Sequence, residues 1–384
     1  MSEFIKRITA AVTAMTVTLC GSVTAYSEGE VTGIAKAAIV TEASTGQVLY
    51  EYNSHERLPM ASVTKLMCLL IWAEEMEKGT FNMDTVITAT ARANAMDGSV
   101  IWLNVGEEMP AYDMIRSVVI ASANDACVAV CEYIAGTEEM FVERMNKRAQ
   151  ELGMSDTHYD NCVGFDSNTH YTSAYDTAIL SAAVSEYDCY NEFFNTRLDY
   201  VREGERQTQL LNTNKLMQRY DGIIGGKTGT TDNAGCCLAV WAKRGNMKLC
   251  AVALGCKESE QRFTACTDLL NHGFSGFELY RTAVDSDVLT PVTVTEGLEK
   301  QAEVRVKRLN TIVIPKGSSK RIEYTHTVVD SLPAPVQYGE KVGEVRASLD
   351  GEEIFYSDIV TTGEVGELNF FSSLLIIIRR FFSM

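Results

Sequence analysis

Ser62 and Lys65 stand three residues apart where an apolar helical run begins, in the stretch ASVTKLMCLL. Positions i and i+3 share one face of a helix, so the lysine amine can reach the serine hydroxyl. A serine is a poor nucleophile until a base takes its proton, and a lysine can be that base once desolvation lowers its pKa. The chemistry on offer is acyl transfer, with backbone N–H groups at the helix start available to an oxyanion. The tetrad alone decides little, because S-x-x-K is expected roughly once by chance in a chain this long. Three further features follow it in order. Ser122 and Asn124 open a second apolar helical run. Lys227, Thr228 and Gly229 lie in a strand-like segment that begins with paired glycines and continues into Thr230 and Thr231. Arg262 starts a last helical pattern. The ordinary reading of S-x-N is a helix N-cap. K-T-G is rarer, expected on the order of 0.1 times by chance. The signal is the ordered set, each member in the helix or strand that its chemistry needs.

The elements that must hold these residues are legible in outline. Residues 36–53 read as a hairpin around Ser44-Thr45-Gly46, and Pro59 closes a loop before the Ser62 helix, which should end at Gly79. Residues 80–110 look irregular. Helices are expected over 111–120, over 124–135, from Thr137 to about Gly153, and over 173–185. Residues 154–172 form a long polar loop of the kind that often carries function; its His158 and His170 are expected at the surface or in hydrogen bonds. Two apolar β runs flank Arg244-Gly245-Asn246, a hairpin signal, and a helix from about Glu260 to Tyr280 closes the region. This is an α/β (α+β) sheet flanked by helices, with an all-helical insertion between its two strand-bearing ends. From residue 282 to 365 short alternating strands, such as VTVTEGL and EKVGEVRASL, indicate a separate small all-β domain.

The 384-residue chain carries a formal net charge of -17. Residues 1–25 hold Glu3, Lys6 and Arg7, net +1, so the remainder is -18 and nucleic acid is excluded as a partner. Lys6 and Arg7 precede an uncharged apolar run that ends in Val23-Thr24-Ala25, an export signal over 1–25. Cys20 follows Leu19 rather than a small residue, which argues against a lipoprotein site. The other ten cysteines lie mostly inside apolar patterns, without C-x-x-C or Cys/His zinc spacing. They read as free thiols in an exported protein, pointing to an oxygen-free habitat. Residues 366–384 end in FFSSLLIIIRRFFSM, whose bulky apolar residues share one helical face and whose serines and arginines share the other. The run is too short to span a bilayer and fits an amphipathic helix lying on the membrane surface.

The boxes PMASVTKLM, SANDACVAV and DGIIGGKTGTTDNAG, with the connecting segments MSDTHYDNCVGFD and YTSAYDTAIL, resemble those of the penicillin-recognising serine enzymes. More closely, they are similar to the low-molecular-mass penicillin-binding proteins that act as D-alanyl-D-alanine carboxypeptidases. The β domain and the terminal anchor fit that layout. The resemblance implies a peptidase domain over 26–281 with the β-lactamase/transpeptidase-like fold. It implies that Ser62 attacks the penultimate D-Ala carbonyl of a peptidoglycan stem peptide with Lys65 as base. The N–H groups of Ser62 and Thr230 would form the oxyanion hole. Ser122 would relay a proton to the leaving D-Ala, tuned by Lys227. Asn124 would bind the substrate amide and steady Lys65. Thr228 and Arg262 would hold the terminal carboxylate beside Gly229, and β-lactams would acylate Ser62. The Arg262 match is positional only, because the preceding CKESEQ departs from the usual pattern. Thr230 stands where some members carry His. From the residues alone, like-charge repulsion between Lys65 and Lys227 should favour a neutral Lys65.

Other classes fit less well. A class A β-lactamase needs a carboxylate base, usually in E-x-x-L-N, and no such string occurs between the second and third boxes. No G-x-S-x-G or H-E-x-x-H is present, so neither a Ser-His-Asp hydrolase nor a zinc peptidase is supported. The intact boxes argue against an inert wall-binding protein. No metal or cofactor is called for.

Overall fold

The computed structural model describes residues 33–284, 289–370 and 378. The expected export signal and nearly all of the apolar tail lie outside these residues. The chain divides into two compact units between Gly276 and Phe277.

The first unit is built on a five-stranded antiparallel sheet. Its strands are β1 (Ala37–Glu42), β2 (Val48–Tyr52), β3 (Ile223–Thr231), β4 (Gly235–Arg244) and β5 (Met247–Cys256), in the order β2-β1-β5-β4-β3. The hairpin turn at Gly245 joins β4 to β5, as the sequence suggests. All six β1 residues are buried, as are seven consecutive residues of β4. Side chains alternate between the two faces of a strand, so unbroken burial means that both faces are covered. The covers include α5 (Ala174–Val184) and α6 (Ser259–Gly276), both packed on β5. Strand β3 is an edge, with one ladder partner, β4.

Between β2 and β3 lies the insertion. Its main helices are α1 (Lys65–Glu77), α2 (Ala111–Ala121), α3 (Asn124–Ala135) and α4 (Glu138–Glu151), followed by α5. Thr137 and Ser173 cap α4 and α5, their side chains accepting N–H bonds from Met140 and Asp176. The insertion is not all helical. Val86–Thr88 pairs with Glu108–Pro110, and Leu198–Val201 pairs with Thr208–Leu211. These strands are three or four residues long, too short to show an alternating pattern in the sequence.

The closing helix α6 stops at Gly276 rather than near Tyr280, and Phe277–Arg281 is a strand paired with Thr311–Pro315 in the second unit. The unit boundary therefore falls five residues before the expected one at 281/282. The second unit is all β. A four-stranded antiparallel sheet runs Val304–Val306, Glu352–Thr361, Lys341–Leu349, Ile322–Val328, and a three-stranded sheet centres on Val292–Thr295. Val292, Val304, Val342, Val345, Phe355 and Ile359 form its core.

Candidate active site

Ser62 lies one turn earlier than a regular helix start. Ala61–Thr64 is a 3-10 turn that leads into α1 at Lys65. Ala61 has φ 49°, a left-handed conformation that costs a non-glycine residue energy and tends to persist where function requires it. Two contacts hold the turn in place. Thr64 Oγ1 donates to the Ala61 carbonyl at 2.8 Å and is itself 2.8 Å from His170 Nε2. Because the Asp160 N–H donates to His170 Nδ1 (3.0 Å), the neutral ring carries its proton on Nε2 and donates to Thr64. Burial pushes His170 down to about 4, so the ring stays neutral through the physiological range.

The base is fully buried. Lys65 Nζ lies 2.8 Å from Ser62 Oγ, 2.7 Å from Asn124 Oδ1 and 2.8 Å from the Val163 carbonyl. Asn124 Oδ1 and the carbonyl can only accept. A neutral amine has two N–H bonds for these two atoms, and its lone pair is then left facing the serine hydroxyl. Burial lowers the Lys65 pKa, while the neighbouring thiols of Cys127, Cys68, Cys162 and Cys131 act the other way. Lys227 is driven well below its ordinary value by burial first, then by the charges of Lys65 and Arg262. Desolvation depresses Lys65 as expected, whereas the expected like-charge repulsion acts at Lys227.

The Val163 carbonyl is aimed by a turn built on Asn161. The Asn161 Oδ1 accepts the N–H groups of Val163, Gly164 and Phe165 at 3.2, 2.7 and 3.0 Å. Gly164, at φ 95°, passes so close that a Cβ there would sit 1.9 Å from the Ala61 carbonyl. The polar loop is therefore clamped onto the nucleophile turn.

Ser122 ends α2 in the left-handed conformation (φ 64°), and Asn124 begins α3. Asn124 Nδ2 donates to the Asp97 carbonyl at 2.6 Å, and its backbone N–H to that of Ser99 at 2.7 Å. The buried Asp125 carboxylate takes the N–H groups of Ile101 and Leu103, fixing the same loop. The Ser122 Oγ is buried and has no hydrogen-bond partner. No hydrogen bond joins it to Ser62 or Lys227, so hydrogen bonds bring Ser62, Lys65 and Asn124 together without Ser122.

On the other side runs the edge strand. A Cβ at Gly229 would lie 2.7 Å from the Met60 carbonyl and 2.9 Å from the Ser62 nitrogen, so only glycine lets β3 approach the nucleophile this closely. Lys227 is buried and donates to the Thr228 carbonyl at 2.8 Å. Thr228 Oγ1 bonds Thr213 Oγ1 at 2.6 Å, and the Thr213 N–H reaches the Ile120 carbonyl near the end of α2. Arg262 is not extended into open space. Its Nη1 donates to the Gly229 carbonyl (3.0 Å) and to Thr230 Oγ1 (2.9 Å), while its Nη2 donates to Ser259 Oγ. It holds β3 from α6.

The Asn161 turn, Val163, Gly164, His170, Asp125 and Thr213 were not singled out as site residues in the sequence. A glycine and an Asx residue within the polar loop were the only local signals for the turn.

A serine whose hydroxyl meets a buried lysine, against the edge of an antiparallel sheet, is an arrangement suited to a serine hydrolase. Comparison with known proteins narrows the class. Residues 23–258 match the D-alanyl-D-alanine carboxypeptidase family model, and residues 277–367 match that of the penicillin-binding protein 5 C-terminal domain. The chain is 36% identical over 342 residues to the D-alanyl-D-alanine carboxypeptidase DacF of Bacillus subtilis, covering 88% of each chain. It is 30% identical over 364 residues to DacA of Escherichia coli K12, covering 91% of this chain and 88% of that one. The solved penicillin binding protein 5 from Haemophilus influenzae superposes with a TM-score of 0.77 at 27% identity, over 87% of this chain and 98% of its own. The chain belongs to the D-alanyl-D-alanine carboxypeptidase family of serine peptidases.

Proposed function

We propose that this chain removes the terminal D-Ala from peptidoglycan stem pentapeptides through an acyl-enzyme on Ser62, and that β-lactams acylate the same oxygen. The observation that carries this reading is the Lys65 Nζ to Ser62 Oγ contact of 2.8 Å, in a site where Lys65 is fully buried. Lys65 takes the hydroxyl proton as the oxygen attacks the penultimate D-Ala carbonyl. The N–H groups of Ser62 and Thr230 receive the oxyanion, which requires the close approach that Gly229 permits. Ser122 passes the proton to the leaving D-Ala nitrogen, with Lys227 setting the local potential. The free edge of β3 accepts the substrate backbone as an added strand. Thr228 and Thr230 meet the terminal carboxylate. Arg262 supplies charge from behind them, since its Nη1 already holds Thr230 Oγ1 and the Gly229 carbonyl. Water then releases the tetrapeptide.

Residues 1–25 serve as an export signal and 366–384 as a surface anchor, so the peptidase domain, which ends at Gly276, works outside the cytoplasmic membrane. The acidic body, the basic leader and the amphipathic pattern of the tail support this. No helix among the described residues is long and apolar enough to cross a membrane.

The test is to incubate purified protein with a D-Ala-D-Ala-terminated pentapeptide and with a cross-linked dimer, and to weigh the products. Loss of one alanine from the pentapeptide is expected. No release from either substrate would refute the reading.

A further inference from the structure

Behind Lys65 the core gathers four cysteines from three separate parts of the chain. Cys68 lies on α1, one turn after Lys65. Cys127 and Cys131 lie one turn apart on α3. Cys162 belongs to the turn that aims the Val163 carbonyl. All four are fully buried. The sulfur atoms of Cys68, Cys127 and Cys131 all lie within 4.8 Å of one another. Cys68 Sγ and Cys127 Sγ point at the same acceptor, the Cys162 carbonyl, at 3.2 and 3.5 Å. The Cys162 thiol lies 3.4 Å from Glu138 Oε1, on the rim of the group.

A buried cysteine that only fills space has no reason to converge on others. Cys266, in the same unit, is equally buried, and its thiol turns to the carbonyls of Leu238 and Ala251. Among the described residues, the Cys68 group alone brings three or more metal-ligating side chains to this spacing. A closed-shell cation with metal–sulfur bonds of ~2.3 Å holds three thiolates roughly 4 Å apart in a trigonal plane. The three sulfurs need to close by less than about an ångström to reach that arrangement, within what side-chain torsions allow. No carboxylate or imidazole belongs to the triad, so its donor set selects soft cations over Mg²⁺ or Ca²⁺.

We propose that Cys68, Cys127 and Cys131 form a binding site for a thiophilic closed-shell cation of the Zn²⁺ and Cd²⁺ type, with Cys162 placed to serve as a fourth donor. Three thiols and one divalent cation give a tris-thiolate of net charge -1 and release three protons. The bound ion ties α1, which carries Lys65, to α3, which carries Asn124. It takes no part in the acyl transfer. The site escapes a reading of spacing because only Cys127 and Cys131 are near in sequence, four residues apart on one helical face, and the third ligand is 59 positions upstream of Cys127.

The test uses the full chain, purified without oxygen and kept reduced. Cd²⁺ is titrated into the folded protein while the ultraviolet thiolate-to-cadmium absorption is followed and native mass spectrometry counts the bound ions. One tightly bound Cd²⁺ per chain is expected, weakened by about tenfold or more in Cys131→Ala and unchanged in Cys189→Ser, which removes an exposed thiol. Near-ultraviolet circular dichroism checks that each variant is folded, and Cys68→Ser is read in place of Cys131→Ala if the latter is not. Absence of the band in folded wild type, its persistence in both triad variants, or its loss in Cys189→Ser would overturn the proposal.

Discussion

On the helical wall of the site Lys65 Nζ meets two acceptors and the Ser62 hydroxyl within 2.8 Å, whereas on the strand wall Lys227 Nζ donates to one, the Thr228 carbonyl. The helical wall satisfies itself. Asn161 sets the Val163 carbonyl, Asp97 and Asp125 set the loop against Asn124, and His170 holds the nucleophile turn. Ser62 and Lys65 are in position before a substrate arrives, so on the proposed mechanism little reorganisation is left for the reaction. Polar atoms flanking the two walls are less fully used. Ser122 Oγ, at the end of α2, and Arg262 Nε, on α6 behind β3, are buried without partners. Leaving such an atom unpaired costs roughly 1–3 kcal/mol. Violations of this kind concentrate at functional sites, where a bound molecule completes the bonding. One wall is built to react and the other to receive.

The comparison breaks most sharply at Lys65. Lys65→Ala should slow acylation by a β-lactam roughly a hundred- to ten-thousand-fold, read by stopped-flow with a fluorescent penicillin. It also strips Asn124 Oδ1 and the Val163 carbonyl of their shared donor, so a lower melting temperature should accompany the loss. Rates close to wild type would remove Lys65 as base. Gly229→Ala tests how closely the walls must approach. The added Cβ meets the Met60 carbonyl at 2.7 Å, so β3 must shift outward, and about a hundredfold loss in acylation is expected with little change in folding. Arg262→Ala should act on reception: KM for the pentapeptide rises about tenfold or more while kcat falls less. An equal fall in kcat and kcat/KM would instead give Arg262 a role confined to the transition state.

The smallest effect belongs to pH. The folded His170 titrates at about 4, below the ordinary 6.5, so the unfolded chain binds the extra proton first. Stability from this group is therefore complete above about 6.5 and is lost as pH falls towards 4. The charged groups acting on it are Asp160 and Asp166, which favour its protonation, and His158, which opposes it. A modest decline in melting temperature over that window should be reduced in His170→Gln. An unchanged decline would show that other groups cause it.

Spacing made Ser62 and Lys65 candidates, because a helix turns i and i+3 into neighbours, and Asn124 joined them only through the ordered set of boxes. It could not reveal the Val163 acceptor, since a main-chain carbonyl carries no side-chain signature. It offered both burial and the charge of Lys227 as depressing Lys65 and could not rank them, because burial, which dominates, depends on the packed fold. The strand Glu352–Thr361 buries alternate positions, Phe355, Ser357, Ile359 and Thr361, but two of these are polar, so its hydrophobic alternation is broken in the sequence. Phe277–Arg281 reads in the sequence as a continuation of the preceding helix, because no proline separates the two and a glycine at 276 is weak punctuation. Arg262 was placed by position in the chain, and only the fold shows that its guanidinium is already engaged with β3.

The central claim is that Ser62 is the oxygen that becomes acylated. Intact-mass analysis of the protein incubated with benzylpenicillin tests it directly. The wild type should gain the mass of one β-lactam, mapped by peptide digestion to the segment holding Ser62, and Ser62→Ala should gain none. A full adduct on Ser62→Ala, or an adduct mapped to another residue in the wild type, would contradict the account.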